Sequence, residues 1–245
     1  MRRGLTILMA AGIVIFCAAI ITIYVSIGSI IVDTIEAEGT EITQTKVTLK
    51  EAEFSTSTGL TTLLQLQVEN PQGFHSKYAY SFDKIELWID PETLASDVLH
   101  IKSMVLVAPE IVYEFTDSAD NLRRLKQYVE NSVQKATDKT EPVKKIIVDN
   151  FYVRNGVVVV QAKELQGERK TAQLRDIHIE NIGKNENGLL PSELAYQLML
   201  PLLRETTLAA LNTDLSLSDK TRNLLSGAFD ETEKAFKSLK NLLNQ

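Results

Sequence analysis

Residues 60–74 read LTTLLQLQVENPQGF and set the β character of this chain. Large side chains recur at every second position, which places five of them on one face: Leu60, Thr62, Leu64, Leu66 and Val68. Period two is typical of a half-buried β-strand, and the Pro and Gly of the following NPQG predict a turn. The sequence therefore predicts a β-rich domain around this segment.

Strand patterns continue on both sides of this segment. Val47–Phe54 alternates with one phase slip, which predicts a bulge. Further strands are predicted at Ile85–Ile89, Val98–Val107, Ile111–Phe115, Val143–Arg154, Val157–Gln161 and Thr171–Glu180. Asn155-Gly156 lies between two of these runs and is the signal of a tight hairpin.

Three other segments have apolar residues spaced three or four apart, as on one face of a helix. They are Asn121–Lys135, Pro191–Leu211 and Asp219–Leu243. The first lies between the two β sections and the others follow them, so the chain ends in helices.

The N-terminus carries an uncharged stretch, Gly4–Val32, in which fifteen residues are Leu, Ile, Val or Phe. Such residues favour bilayer insertion by roughly 0.3–0.6 kcal/mol each, or about 4–9 kcal/mol together. The stretch is long enough to cross the ~30 Å hydrocarbon core as a helix, and about twice as long as the apolar part of a cleavable signal peptide. We therefore predict an uncleaved transmembrane anchor at residues 5–32.

Charge predicts the orientation of this anchor. Arg2 and Arg3 precede it, whereas Asp33 and Glu36 follow it, and positive flanks stay in the cytoplasm. Residues 1–4 are then cytoplasmic, and both the β-rich domain (33–212) and the C-terminal amphipathic helix (213–245) are exported. The exported part has 24 basic and 32 acidic residues, a net charge of −8, which disfavours binding to nucleic acid.

The predicted fold class is α+β. It consists of an N-terminal transmembrane helix, a curved antiparallel β-sheet in two sections with an intervening helix, and C-terminal helices. We expect the two sections to join in one continuous sheet.

The sequence contains no pattern that predicts catalysis or metal binding. His75, His100 and His178 are isolated from one another and from the single Cys17, whereas metal sites draw on clustered ligands. A nucleophile elbow, a phosphate loop and a dinucleotide-binding fingerprint are all missing from the sequence. We therefore predict a non-enzymatic protein with no cofactor and no metal.

Four segments, in this order behind an apolar N-terminus, resemble a known family: Asn70–Phe74, Leu94–Ile101, Pro109–Glu114 and Asn121–Leu125. The chain is similar to the N-terminal region of AsmA-like proteins, the bacterial envelope family that includes TamB. The resemblance implies anchorage in the inner membrane, a periplasmic domain, and a curved sheet with an apolar groove. It also implies a role in phospholipid movement or outer-membrane biogenesis. The exported part forms only about 40 Å of sheet at ~4.8 Å per strand, too little to cross the periplasm alone.

Two sets of apolar residues are the candidate functional surfaces. The first would line one face of the sheet as an apolar groove or as a covered core: Leu64, Leu66, Val68, Ile85, Leu87, Ile89, Ile101, Val105 and Val107. The second has the spacing of a heptad seam and would form a lid on the sheet or a contact with a partner: Leu225, Phe229, Phe236, Leu239 and Leu243. The expected function is binding of phospholipid or another apolar ligand; a membrane-tethered scaffold for another envelope protein is the alternative.

Overall fold

The computed structural model describes residues 27–136, 143–162, 165, 169–212 and 219–243. Its strands are β1 (Val47–Phe54), β2 (Leu60–Glu69), β3 (Tyr78–Ile89), β4 (Val98–Val107), β5 (Glu110–Phe115), β6 (Lys145–Arg154), β7 (Val157–Ala162), β8 (Lys170–Gln173) and β9 (Ile177–Ile182). Its helices are α1 (27–43 in the described part), α2 (Asn121–Ala136), α3 (Pro191–Leu211) and α4 (Asp219–Leu243), with a short 3-10 helix at Pro91–Thr93.

The nine strands form one sheet, in which several consecutive strands act as one long bent strand. Residues paired between β4 and β6 differ by 47 in sequence number, as do Val98 and Lys145. Residues paired between β5 and β7 differ by the same 47, as do Phe115 and Ala162, so the two pairs share one continuous register. Strand β3 likewise pairs with both β4 and β5. Counted this way, six long strands follow one another across the sheet in chain order: β1, β2, β3, β4–β5, β6–β7 and β8–β9.

The sheet is mixed, so the predicted antiparallel sheet in two sections is wrong. β4 and β5 run parallel to β6 and β7, while the other pairs are antiparallel. A parallel pair needs a crossover connection, which α2 supplies between β5 and β6. The predicted hairpin at Asn155-Gly156 is also wrong, because β6 and β7 do not pair with each other and continue in one direction through a bend.

A row of bends crosses the sheet. Gln65, Ala108 and Asn155 have φ values of 53°, 48° and 56°, in the left-handed region that few residues other than glycine adopt. The strand register places Gln65 beside Asp83, Asp83 beside Ala108, and Ala108 beside Asn155. Because the bends are aligned, neighbouring strands turn together and the sheet curves.

The helices cover the concave side and one edge of this sheet. α1 runs along β1, where Glu36 Oε1 accepts a hydrogen bond from the Leu49 N–H (2.8 Å) and Thr40 Oγ1 accepts one from the Val47 N–H (3.1 Å). These bonds occupy an edge that would otherwise be open to another strand. α3 contacts β6 to β9, and α4 packs on α3.

The predicted transmembrane helix at residues 5–32 is not supported by this fold. Residues 5–26 lie outside the described residues, and in the described part no helix is both long and apolar enough to cross a membrane. The described remainder, residues 27–32, belongs to α1 and packs against the domain: Ile31 and Val32 contact its hydrophobic core.

Candidate functional site

The most prominent site is an apolar cavity of about 670 Å³ between the concave face of the sheet, α1 and α3. The sheet contributes Phe54, Thr61, Leu63, Leu66, Val68, Tyr80, Phe82, Ile85, Leu87, Ile89, Leu99, Ile101, Met104, Leu106, Ile146 and Phe151. The remaining lining residues are Ile27, Ile30, Ile31, Thr34 and Ile35 of α1, Leu94, and Leu194, Ala195, Leu198, Met199 and Leu202 of α3.

The cavity wall offers almost no polar group to a ligand. Only Thr34, Thr61 and Tyr80 carry hydroxyl groups, and those of Thr61 and Tyr80 are buried, with no hydrogen-bond partner among the described residues. Burial, with a smaller contribution from nearby Asp120, raises the pKa of Tyr80, so its hydroxyl stays neutral. Such a wall suits a hydrocarbon chain and does not suit a sugar, a nucleotide or an ion.

The cavity is open to the outside where α1 faces the end of β3. Ile30 of α1 is 61% exposed, and Leu94, just after the 3-10 helix, is 40% exposed. Both residues also line the cavity, so they form part of its rim.

Six of the nine predicted groove residues line this cavity: Leu66, Val68, Ile85, Leu87, Ile89 and Ile101. Leu64, Val105 and Val107 are half-buried residues that do not line it. The bend at Gln65 explains Leu64, because the inward face of β2 changes there from Thr61 and Leu63 to Leu66 and Val68. In β4 the register with β3 shifts between Ile101 and Ser103, so Met104 and Leu106 face inward in place of Val105 and Val107. The apolar face of the helix Pro191–Leu211 was expected to cover part of the sheet, and α3 does line the cavity; the contribution of α1 to the same wall was not predicted.

The predicted seam of α4 lies partly against the rest of the chain. Leu225 and Leu239 are buried, whereas Phe229, Phe236 and Leu243 are half-buried. α4 packs on α3 and is tied to α2 through Lys126, whose Nζ lies 2.9 Å from Glu231 Oε1. None of the seam residues lines the cavity.

The three histidines each have a different polar neighbour. His75 Nδ1 lies 3.0 Å from Glu114, His100 Nε2 lies 2.8 Å from Asp149, and His178 Nε2 lies 3.1 Å from Asn150. Within the described ranges, no three His, Cys, Asp or Glu residues are grouped as they would be around a metal ion.

A buried carboxylate holds the turn between β2 and β3. Glu114 of β5 is only 4% exposed and accepts hydrogen bonds from the backbone N–H groups of His75 (2.6 Å) and Ser76 (2.8 Å). Burial acts to raise the pKa of Glu114, but hydrogen bonds from His75 and Ser76 outweigh burial and lower the pKa. Glu114 is therefore ionised and stabilises the turn.

Asn121, at the start of α2, extends this network, which we call the loop clamp (Asn70, His75, Ser76, Glu114 and Asn121). Its Oδ1 accepts a hydrogen bond from the Glu114 N–H (2.9 Å), and its Nδ2 donates one to Asn70 Oδ1 (2.7 Å). The clamp joins three of the four segments that carried the family resemblance. The sequence contained these residues but did not indicate that they meet.

Comparison with known proteins adds no assignment. The chain matches no protein-family model, and its sequence matches none of the curated proteins significantly.

Proposed function

We propose that this protein binds the hydrocarbon chain of a lipid in the cavity between α1, α3 and the sheet, without catalysing a reaction on it. The observation that carries the proposal is the cavity wall, which is large, almost wholly apolar and open at a rim that includes Ile30 and Leu94. An apolar wall of this extent left in contact with water would be costly, at about 25 cal/mol per Å² of apolar surface. A bound hydrocarbon chain removes that cost.

The cavity volume fits one long acyl chain. Small-molecule sites typically enclose about 300–1,000 Å³, and the cavity measures about 670 Å³. A methylene group is similar in size to a water molecule, which occupies about 30 Å³ in the liquid, so on the order of twenty carbons would fill the cavity.

We also propose that the protein is associated with the bacterial inner membrane and that its folded part lies in the periplasm. The uncharged stretch and its flanking charges support this proposal, as does the resemblance to AsmA-like proteins. In this location the protein would support envelope homeostasis by handling phospholipid.

Filling the cavity is expected to abolish lipid binding. The full-length chain is purified from membranes and washed in a detergent without acyl chains, and its bound lipid is measured by mass spectrometry. Leu198→Trp places a large ring in the cavity, because Leu198 of α3 lines it, and should reduce the lipid signal at least about tenfold, corresponding to 1.4 kcal/mol of binding free energy.

The matched control is Leu211→Trp, the same substitution at the end of the same helix, where the residue does not line the cavity. This variant should retain lipid as the wild type does. Equal lipid content in the wild type and in Leu198→Trp, with both folded by circular dichroism, would contradict the proposed function.

Protease added to spheroplasts is expected to degrade the domain that follows residue 33 and to leave a small membrane-embedded fragment. The physical reason is the asymmetry between Arg2 and Arg3 before the apolar stretch and the acidic residues after it. Full protection of the domain, or a mature protein that begins near residue 30, would contradict the proposed location.

A further inference from the structure

Exposed large apolar residues gather at one end of the first three strands. In the described part of the chain the large hydrophobic residues that stand exposed are Ile30, Trp88, Leu94 and Val143. Trp88, the second-last residue of β3, pairs with Leu60 at the start of β2, and Leu94 follows shortly after. An exposed group of this kind indicates a contact surface.

The first described turn of α1 lies at the same end. A Cβ on Gly28 would lie only 2.6 Å from the Ala52 carbonyl oxygen, so this turn packs directly against the last residues of β1. Phe54 of β1 pairs with Thr61 of β2, and the Ile89 N–H donates to the Gly59 carbonyl (2.9 Å). Ile30, the β1–β2 turn, Trp88 and Leu94 therefore share one end of neighbouring strands.

The chain that precedes α1 determines what lies next to this end. Gly4–Ser26 is an uncharged stretch of 23 residues that precedes the described part of α1 in the sequence. A stretch of this composition favours a bilayer, and in the sequence it directly precedes residue 27. The bilayer surface is thus the nearest apolar partner for the exposed residues.

The polar residues around this end favour apolar insertion over attraction by charge. Glu53, Glu92 and Asp97 are exposed here, and so are Lys102 and Lys144, so the charges of this end are mixed and form no basic patch that would attract anionic headgroups. The β1–β2 turn, residues 55–59, reads STSTG and carries no charge, so it can approach a headgroup layer at little cost. Trp88 is a tryptophan, and tryptophan side chains are enriched at the headgroup level of a bilayer.

We propose that this end of the domain, which exposes Ile30, Trp88 and Leu94, docks on a phospholipid bilayer. The inference deepens the proposed function, because the rim of the cavity then faces the membrane and an acyl chain can enter without crossing water. The surface is defined by its apolar side chains, so docking does not require anionic lipid and is insensitive to salt.

Trp88 is the single tryptophan of the chain and serves as the reporter. The full-length protein is reconstituted in phosphatidylcholine vesicles whose acyl chains are brominated either near the headgroup or near the terminal methyl. We expect roughly a twofold loss of Trp88 emission in the shallow-brominated vesicles and little loss in the deep-brominated ones, because tryptophan settles at the headgroup level. Added salt and added anionic lipid should leave the loss unchanged.

The control places the reporter at the other end of β3. In Trp88→Phe/Phe74→Trp the tryptophan lies in the turn before Tyr78, up to about 33 Å from position 88 at ~3.3 Å per residue, and bromine should not quench it. Leu94→Glu, at an exposed rim position, should reduce the quenching of Trp88.

Equal Trp88 emission in plain and brominated vesicles would overturn the docking proposal, and so would equal quenching at positions 88 and 74. Either result can occur in a protein that still retains lipid, in which case the proposed function stands and only the docking surface fails. Quenching that salt abolishes would also overturn the proposal, because the contact would then depend on charge.

Discussion

Phe151→Ala is expected to lower the free energy of unfolding by about 3–5 kcal/mol, the usual cost of truncating a buried phenylalanine to alanine. Phe151 lies in β6, is fully buried, and forms part of the cavity wall. Its ring belongs to the hydrophobic core, so its loss removes buried apolar contacts. The measurement is urea unfolding of the full-length chain in a mild detergent, followed by circular dichroism.

The next residue along the strand provides the control. Tyr152 points to the other face, where its ring stacks on His178 with centroids 4.2 Å apart and remains half-exposed. Tyr152→Ala should cost about 0.5–1.5 kcal/mol, as expected for one aromatic pair. Equal losses for the two substitutions would mean that the concave face is not the core of the domain.

Glu114→Gln is expected to lower the free energy of unfolding by about 2–4 kcal/mol, because hydrogen bonds to a charged group are worth about 1.5–3 kcal/mol each. The two Glu114 oxygens accept from the backbone N–H groups of His75 and Ser76. A Gln side chain has one oxygen and one NH₂ group, so one of these N–H groups would face another donor inside the protein.

The pH dependence of this effect has a definite sign. The pKa of Glu114 is lowered in the folded protein, whereas in the unfolded chain it is near its ordinary value of about 4.3. The stabilisation is therefore complete above the unfolded pKa and is lost as the pH falls through the folded pKa. The difference between wild type and Glu114→Gln should be constant near neutral pH and should shrink below about pH 4.

Glu110→Gln serves as the control on the same strand. Its carboxylate is half-exposed and lies 3.1 Å from the guanidinium of Arg169, and exposed ion pairs contribute about 0–1 kcal/mol. A loss for Glu114→Gln no larger than that for Glu110→Gln, or one that does not change with pH, would show that the loop clamp does not stabilise the turn.

Local sequence patterns located most elements of this fold, but they missed the part of α1 after residue 32 and the first half of β3, and they merged β8 and β9. The predicted strand Val98–Val107 and helix Pro191–Leu211 match the observed bounds, and the helix predicted at Asn121–Lys135 is one residue short. Alternation with period two and apolar spacing of three or four are properties of neighbouring residues, so the chain displays them before it folds. Six residues of the candidate groove were found in the same way, from the strands that carry them.

Which strands pair, and which side chains point towards the cavity, depend in contrast on contacts between residues that are far apart in the sequence. Asn155-Gly156 has the composition of a hairpin turn, yet it continues one strand, because α2 returns β6 to the side of β4 in a parallel pair. Gln65 and Ala108 have no local preference for positive φ, and the adjacent strands, which bend at the same place, hold them there.

The sequence by itself thus determined that this chain forms strands, then a helix, then strands and helices, with an apolar N-terminus. Only the tertiary structure decided that Leu66 faces the cavity while Leu64 does not, and that α1 completes its wall. The physical reason is that side-chain periodicity is set by the local backbone, whereas the bends and the parallel pairing are stabilised by the packing of the whole sheet against its helices.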